Sequence, residues 1–193
     1  MIPSLKPLTA LLPWRRKAAY ADQIYGAIVA RSRLPVFYQS FGVPDTLEGR
    51  FVVLSLHLFA VLHRLGAAQA QGHALAQALA DRFSADMETV LREIGVGDMS
   101  VPKKVRGLAA AGAALLQDYE DALTQDDAQA ALTAAIARAL SHEGHSEAAS
   151  GRLASYLLAV VRQLESEPLR DLYAGTLRLP ELRAEGLGES HEQ

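Results

Sequence analysis

Asp45-Thr46-Leu47-Glu48-Gly49-Arg50-Phe51-Val52-Val53-Leu54-Ser55-Leu56-His57-Leu58-Phe59-Ala60-Val61-Leu62-His63-Arg64-Leu65 is the stretch on which the fold turns. It opens as a capping box, with Asp45 as N-cap and Glu48 three positions on, so each satisfies a backbone N–H that the first turn leaves orphaned. Leu47, Phe51, Leu54, Leu58, Leu62 and Leu65 then recur at steps of three and four and line one helix face. Val52, Val53, Phe59 and Val61 make the remaining surface apolar as well, the mark of a central helix surrounded by others. One polar line survives on it. Arg50, His57 and Arg64 are seven residues apart and return to nearly the same azimuth. That line reads either as a solvated seam holding a satisfied histidine or as a basic stripe facing a partner.

Helical signals continue on both sides. Upstream, a helix over 18–32 carries Ile24, Tyr25 and Ile28 inward and ends before Pro35. Residues 35–44 then read as a loop holding Phe37, Tyr38 and Phe41, which either plug the core or offer a binding surface. Downstream, helices are expected over 72–83, with Leu75 and Leu79 inward, and over 87–94, capped by Ser84 or Asp86. Three long helices follow: from Ser100 to about Leu123, from Thr124 to about Leu140, and from Ser146 to about Glu165. A short one starts at Pro168. The alanine tract 109–114 lets a neighbouring helix approach closely. Seven or eight helices without a convincing strand make an all-α, single compact domain. It is divided as an N-terminal arm over 1–17, a helical domain over 18–175 and a tail over 176–193, in which Leu177 and Leu179 pack back. Trp14, beside Arg15-Arg16-Lys17, either docks on the domain or anchors at a membrane interface.

Composition narrows the function classes. The 193 residues are 50% apolar and 21% charged, which is globular. A net charge of −3 gives no bulk attraction for nucleic acid, so anion binding needs a local patch. Without cysteine there is no disulfide, iron–sulfur cluster or thiol nucleophile. The apolar run 51–62 is short of the ~20 residues that span a bilayer. Arginine outnumbers lysine and alanine abounds, a compositional hint of a GC-rich bacterial gene.

Such a local patch is present at the turn after the fourth helical segment. Gly95 suits a left-handed helix end, Gly97 a second reversal, and Ser100 an N-cap. Arg92, Glu93 and Asp98 precede Lys103, Lys104 and Arg106, which fall in the first turns of a helix, where the macrodipole disfavours cations by ~0.3–1 kcal/mol each. Either the acids offset this charge internally or an anionic partner uses it.

The motifs of catalysis are missing. Gly95-Val96-Gly97 is neither a phosphate loop nor a dinucleotide fingerprint, and His142-Glu143-Gly144-His145 has the wrong spacing for a metalloprotease helix. No cofactor, metal ligand or catalytic residue is assigned, and a non-enzymatic protein is expected.

Val43-Pro44-Asp45-Thr46-Leu47-Glu48-Gly49-Arg50-Phe51, Leu56-His57-Leu58-Phe59, Asp86-Met87, Leu91-Arg92-Glu93-Ile94-Gly95-Val96-Gly97-Asp98 and Val101-Pro102-Lys103-Lys104-Val105 together resemble the ubiquinol–cytochrome c chaperone family. The resemblance runs over about 20–175. It implies an all-helical assembly factor of the cytochrome bc complex (complex III) that binds newly made cytochrome b. Mitochondrial members work with a small helical partner and near the ribosomal exit tunnel. Those members carry a longer N-terminal region, and many have aromatic residues where this chain has its alanine tract.

The partner-facing candidates are therefore Phe37, Tyr38, Phe41, Arg50, His57, Arg64, Lys103, Lys104 and Arg106. Asp45, Glu48, Gly95, Gly97, Asp98 and Ser100 are structural turn residues. The expected location is the cytoplasm, peripheral to the inner membrane. The competing reading is a helical adapter that binds the ribosome, RNA or an anionic membrane surface with a different client.

Overall fold

The computed structural model describes residues 13–93, 101–141, 147–183 and 186–187. Eight helices lie among them: α1 (Pro13–Ser32), α2 (Pro35–Gln39), α3 (Leu47–Ala67), α4 (Ala70–Glu93), α5 (Val101–Leu123), α6 (Ala128–Ala139), α7 (Glu147–Ser166) and α8 (Leu169–Leu172). A two-residue antiparallel ladder, β1 (Leu182–Arg183) with β2 (Gly186–Leu187), sits in the tail and leaves the all-α class intact.

α3 is the axis. Its residues 52–61 are buried without a break, and α1, α4, α5 and α7 all pack against it. Each large apolar side chain removed from water there contributes ~1.5–3 kcal/mol before the entropy of ordering is set against it. By length and hydropathy α3 would also pass for a membrane-spanning helix, but 61% of its most apolar window lies inside the protein. α4 turns back along α3: Phe83 stacks beside Phe51, while at the other end Gly72 meets the Leu65 carbonyl. α5 and α7 run with α3, pairing Tyr119 with Phe59 and Tyr156 with His57. α1 runs with α4, through Asp22–Arg82 at 3.2 Å and Tyr25–Asp86 at 2.9 Å. α6 lies outside, on α5 and α7. The C-terminal ends of α1 and α4 and the N-terminal ends of α3 and α5 therefore meet at one pole.

Local chemistry moves several expected boundaries. The cap of α3 is Thr46, not Asp45: its hydroxyl accepts from the Gly49 N–H at 3.1 Å, and Asp45 is left to pair with Arg50 at 2.6 Å. Glu48 keeps its place in the first turn, where its charge suits the helix dipole. The helices expected at 72–83 and 87–94 are one. Ser84 donates back to the Ala80 carbonyl and Asp86 faces Tyr25 and Arg82, so neither opens a new helix. Pro13–Lys17 are already helical, so the helix begins inside the expected arm. Part of the loop expected at 35–44 is α2, opened by Pro35. Asp127, accepting from the Ala130 N–H, caps α6. Leu177, Leu179 and Leu182 pack back on the core. Gly95, Gly97, Asp98, Ser100 and the 142–145 turn lie outside the described residues.

Candidate functional site

At the pole where the four helix ends meet, a groove of about 700 Å³ opens between α1, α3, α4, α5 and α6. Its walls are Phe51 and Leu54 of α3, Met87 and Val90 of α4, and Leu108 and Ala111 of α5. Ala111 and Ala114 of the alanine tract line it. Gly112 packs close to the Phe51 and Phe83 rings, while Ala109, Ala110, Ala111, Ala113 and Ala114 remain exposed. Among the described residues no helix fills the space beside Ala111 and Ala114. The close helix neighbour expected at the tract is met at Gly112.

The charged residues of the groove lie at its edges, and several are paired within the chain. Asp118 holds Arg138 at 3.2 Å, Arg50 holds Asp45, and Asp86 accepts from the Tyr25 hydroxyl. Burial, with Asp86 next, pushes the Tyr25 phenol well above its ordinary range, so it stays a donor. The arrangement is a mostly apolar concavity, and it suits the capture of apolar surface. Among the described residues no cluster of three or more histidines and carboxylates is placed to hold a metal ion. A second cavity, of about 500 Å³, lies between α3 and α5, where His63 contacts Glu120 at 2.8 Å.

The residues singled out in the sequence scatter. Phe37 and Phe41 are buried, edge-on to each other and to Tyr156, so these two rings plug the core, while Tyr38, with Arg50, lines the groove. A five-residue helix hides them because burying two phenyl rings outweighs leaving them wet. Tyr38 is half-buried; its hydroxyl donates to the Ser32 carbonyl and the Arg50 guanidinium lies over its ring. The Arg50–His57–Arg64 line is real as a line, but it faces α2 and α7. His57 is fully buried. Its Nδ1 donates to the Val53 carbonyl at 2.7 Å, which makes Nε2 the acceptor of the Tyr156 hydroxyl at 2.9 Å. Arg31 donates to that same hydroxyl and to the Pro180 carbonyl, so the relay ties α1, α3, α7 and the tail together. Burial holds the His57 imidazole at a pKa of about 4 and hence neutral. Arg64 donates to the Leu164 and Glu167 carbonyls and closes the end of α7. His57 and Arg64 are thus internal fasteners rather than a stripe for a partner. Arg50 remains half-exposed at the pole. Lys103, Lys104 and Arg106 are exposed on the first turns of α5.

Missed in the sequence were Val90 and Leu108 as groove walls. Their signal was an apolar residue on a helix whose opposite neighbours are alanines, which reads equally as core.

A family model described as ubiquinol-cytochrome C chaperone matches residues 39–179. The crystal structure of the Cbp3 homolog from Brucella abortus superposes with a TM-score of 0.78 at 33% identity, covering 90% of this chain and 94% of that one. No curated protein matches.

Proposed function

The chain belongs to the ubiquinol–cytochrome c chaperone family, and on that premise we propose that it is a non-enzymatic assembly chaperone of the cytochrome bc complex whose client is newly made cytochrome b. The observation that carries this reading is the groove of about 700 Å³, apolar in its walls and left open by the described helices. A polytopic membrane protein exposes apolar segments before it is fully inserted and assembled. A chaperone for it needs apolar surface of its own, presented without collapse, and needs no reacting group. Among the described residues, the packing of α3 with α4 and α5 sets the walls apart and leaves the groove open. Ribosome contact and a small helical partner, which the resemblance attaches to mitochondrial members, form no part of this proposal. The protein acts on the cytoplasmic side of the membrane.

Deletion of the gene followed by haem spectra of the membranes tests the reading. Cytochrome b absorbance and assembled cytochrome bc complex fall, other respiratory complexes persist, and cytochrome b co-purifies with the tagged protein. Normal levels of the complex in the deletion strain would refute it and leave the adapter with a different client.

A further inference from the structure

The second cavity lies toward the pole opposite the groove and stands open among the described residues. Phe59, Leu62, Gly66 and Ala67 of α3 and Ala113 and Leu116 of α5 give it apolar walls. Three helices end around it. α5 runs parallel to α3, with Gly112 beside Phe51 and Tyr119 beside Phe59, and so does α7, with Tyr156 at His57 and Leu164 at Arg64. Their C-terminal ends bring partial negative charge. The edge is acidic as well: His63 contacts Glu120 at 2.8 Å and lies 4.0 Å from Glu165, and Asp121 follows on α5. Of the nearby cations, Arg64 is committed to the Leu164 and Glu167 carbonyls, and Arg162 stands one turn before Glu165 on α7. Apolar walls under an acidic edge suit an apolar segment that carries a cation.

The chain carries such a segment. Residues 1–12, outside the described ones, hold Ile2, Leu5, Leu8 and Leu11 at every third position, with Lys6 between, and no acid precedes Asp22. Three residues is the period of polyproline II, which Pro3 and Pro7 favour. The segment leads into α1 at the level of the cavity. α1 and α4 run parallel, since Asp22 meets Arg82 and Tyr25 meets Asp86. Pro13 therefore stands level with His73, whose neighbour Gly72 meets the Leu65 carbonyl next to the cavity. α1 packs on α3 and α3 on α5, so the cavity lies within two interaxial distances of α1, ~20 Å, and residues 1–12 in that form reach ~37 Å. Of the other stretches outside the described residues, 142–146, 184–185 and 188–193 hold no large apolar side chain, and 94–100 joins α4 to α5 at the groove's pole. We propose that residues 1–12 of this chain occupy the second cavity, with Leu5 and Leu8 against Phe59, Leu62 and Leu116 and with Lys6 toward Glu120 and Glu165. The chain then covers one of its two concavities itself and leaves the other open. This docking goes beyond the chaperone reading and does not depend on it, since it concerns the chain's own segment and not a client.

Because the chain has no cysteine, introduced pairs report the placement directly. A disulfide needs Cα atoms within ~7 Å of each other. In the purified full chain, Leu5→Cys or Leu8→Cys is combined with Ala113→Cys or Gln117→Cys, both exposed positions lining the cavity. Mild oxidation should then close a disulfide within one molecule, at a rate independent of dilution. Leu8→Cys with Ala111→Cys, which stands on the groove wall, should react roughly 10-fold more slowly, because effective concentration falls with distance. In the chain carrying the fastest pair, Lys6→Glu should slow closure several-fold at low salt and less at high salt. Ile2→Ser with Leu11→Ser should slow it too, and circular dichroism should stay at wild type throughout. Four results would overturn the proposal: no disulfide from any cavity pair, equal rates at cavity and groove, a rate that neither Lys6→Glu nor the serine changes alter, or a disulfide that forms only between molecules and fades on dilution. The last of these assigns the cavity to a second copy of the chain.

Discussion

Gly49 and Gly66 lie on the same helix and ask for opposite things. A Cβ at Gly49 would drive into the Pro44 carbonyl oxygen, which is backbone and cannot swing away; a Cβ at Gly66 would meet nothing within 4 Å. Gly49→Ala is expected to cost about 2 kcal/mol by overpacking, whereas Gly66→Ala gains up to ~1 kcal/mol of helix propensity. Thermal melts should therefore move in opposite directions, by a few degrees each. His57 gives a second test at this scale. Its folded pKa of about 4 lies below the usual ~6.5, so the unfolded chain binds the extra proton more readily. Stability is full above pH ~6.5 and is lost as pH falls toward 4, a loss of ~3 kcal/mol for this one group. Denaturant melts between pH 7 and 4 should show that slope, and His57→Gln, which does not titrate, should remove its share of it. The burial of His57 was half legible. The sequence placed it on an apolar helix, but its partner Tyr156 stands 99 residues away, and no local pattern joins them.

At the scale of elements, α3 was readable because its apolar residues leave it no wet face. Its cap was misplaced by one residue because Asp45 and Thr46 are both good N-caps, and only the hydrogen bond to the Gly49 N–H decides between them. α4 looked broken at Ser84 and Asp86 because these residues also open helices; here they bond within the helix and across to α1. The groove was not legible at all, since its walls come from five helices and only their packing leaves it open. Ala111 sits on its wall and is exposed, so Ala111→Arg should leave the fold within ~0.5 kcal/mol of wild type. A guanidinium placed there makes the wall polar, and complementation of the deletion strain should then fail while the melting curve stays in place. Full complementation would remove the groove from the functional account.

Across the whole molecule, the chain is closed by its last described segment. Gly175, with φ +77°, turns the chain after α8; Arg178 grips Glu167 and Asp171, each at 2.7 Å; and Arg31 holds the Pro180 carbonyl. Truncation after Thr176 should expose apolar surface on the core and leave Arg31 short of an acceptor, lowering the melting temperature by about 5 °C or more. That Leu177 and Leu179 pack back was visible from their apolar character in a polar stretch; the clasp at Arg31 was not. The suitability of α3 for a bilayer has its own cost during synthesis. Its covers α1 and α4 adjoin it in the chain, but α7 begins only at Glu147, so the helix emerges from the ribosome long before its last wall exists. For that interval a protein whose proposed duty is toward a membrane chain carries a helix whose own length and hydropathy would suit a bilayer. Early docking of α1 and α4, which pack on α3 in the folded chain, would cover it in that interval. Substitutions that loosen that hairpin should send part of the product into the lipid fraction, as a sorting error and not as a precipitate.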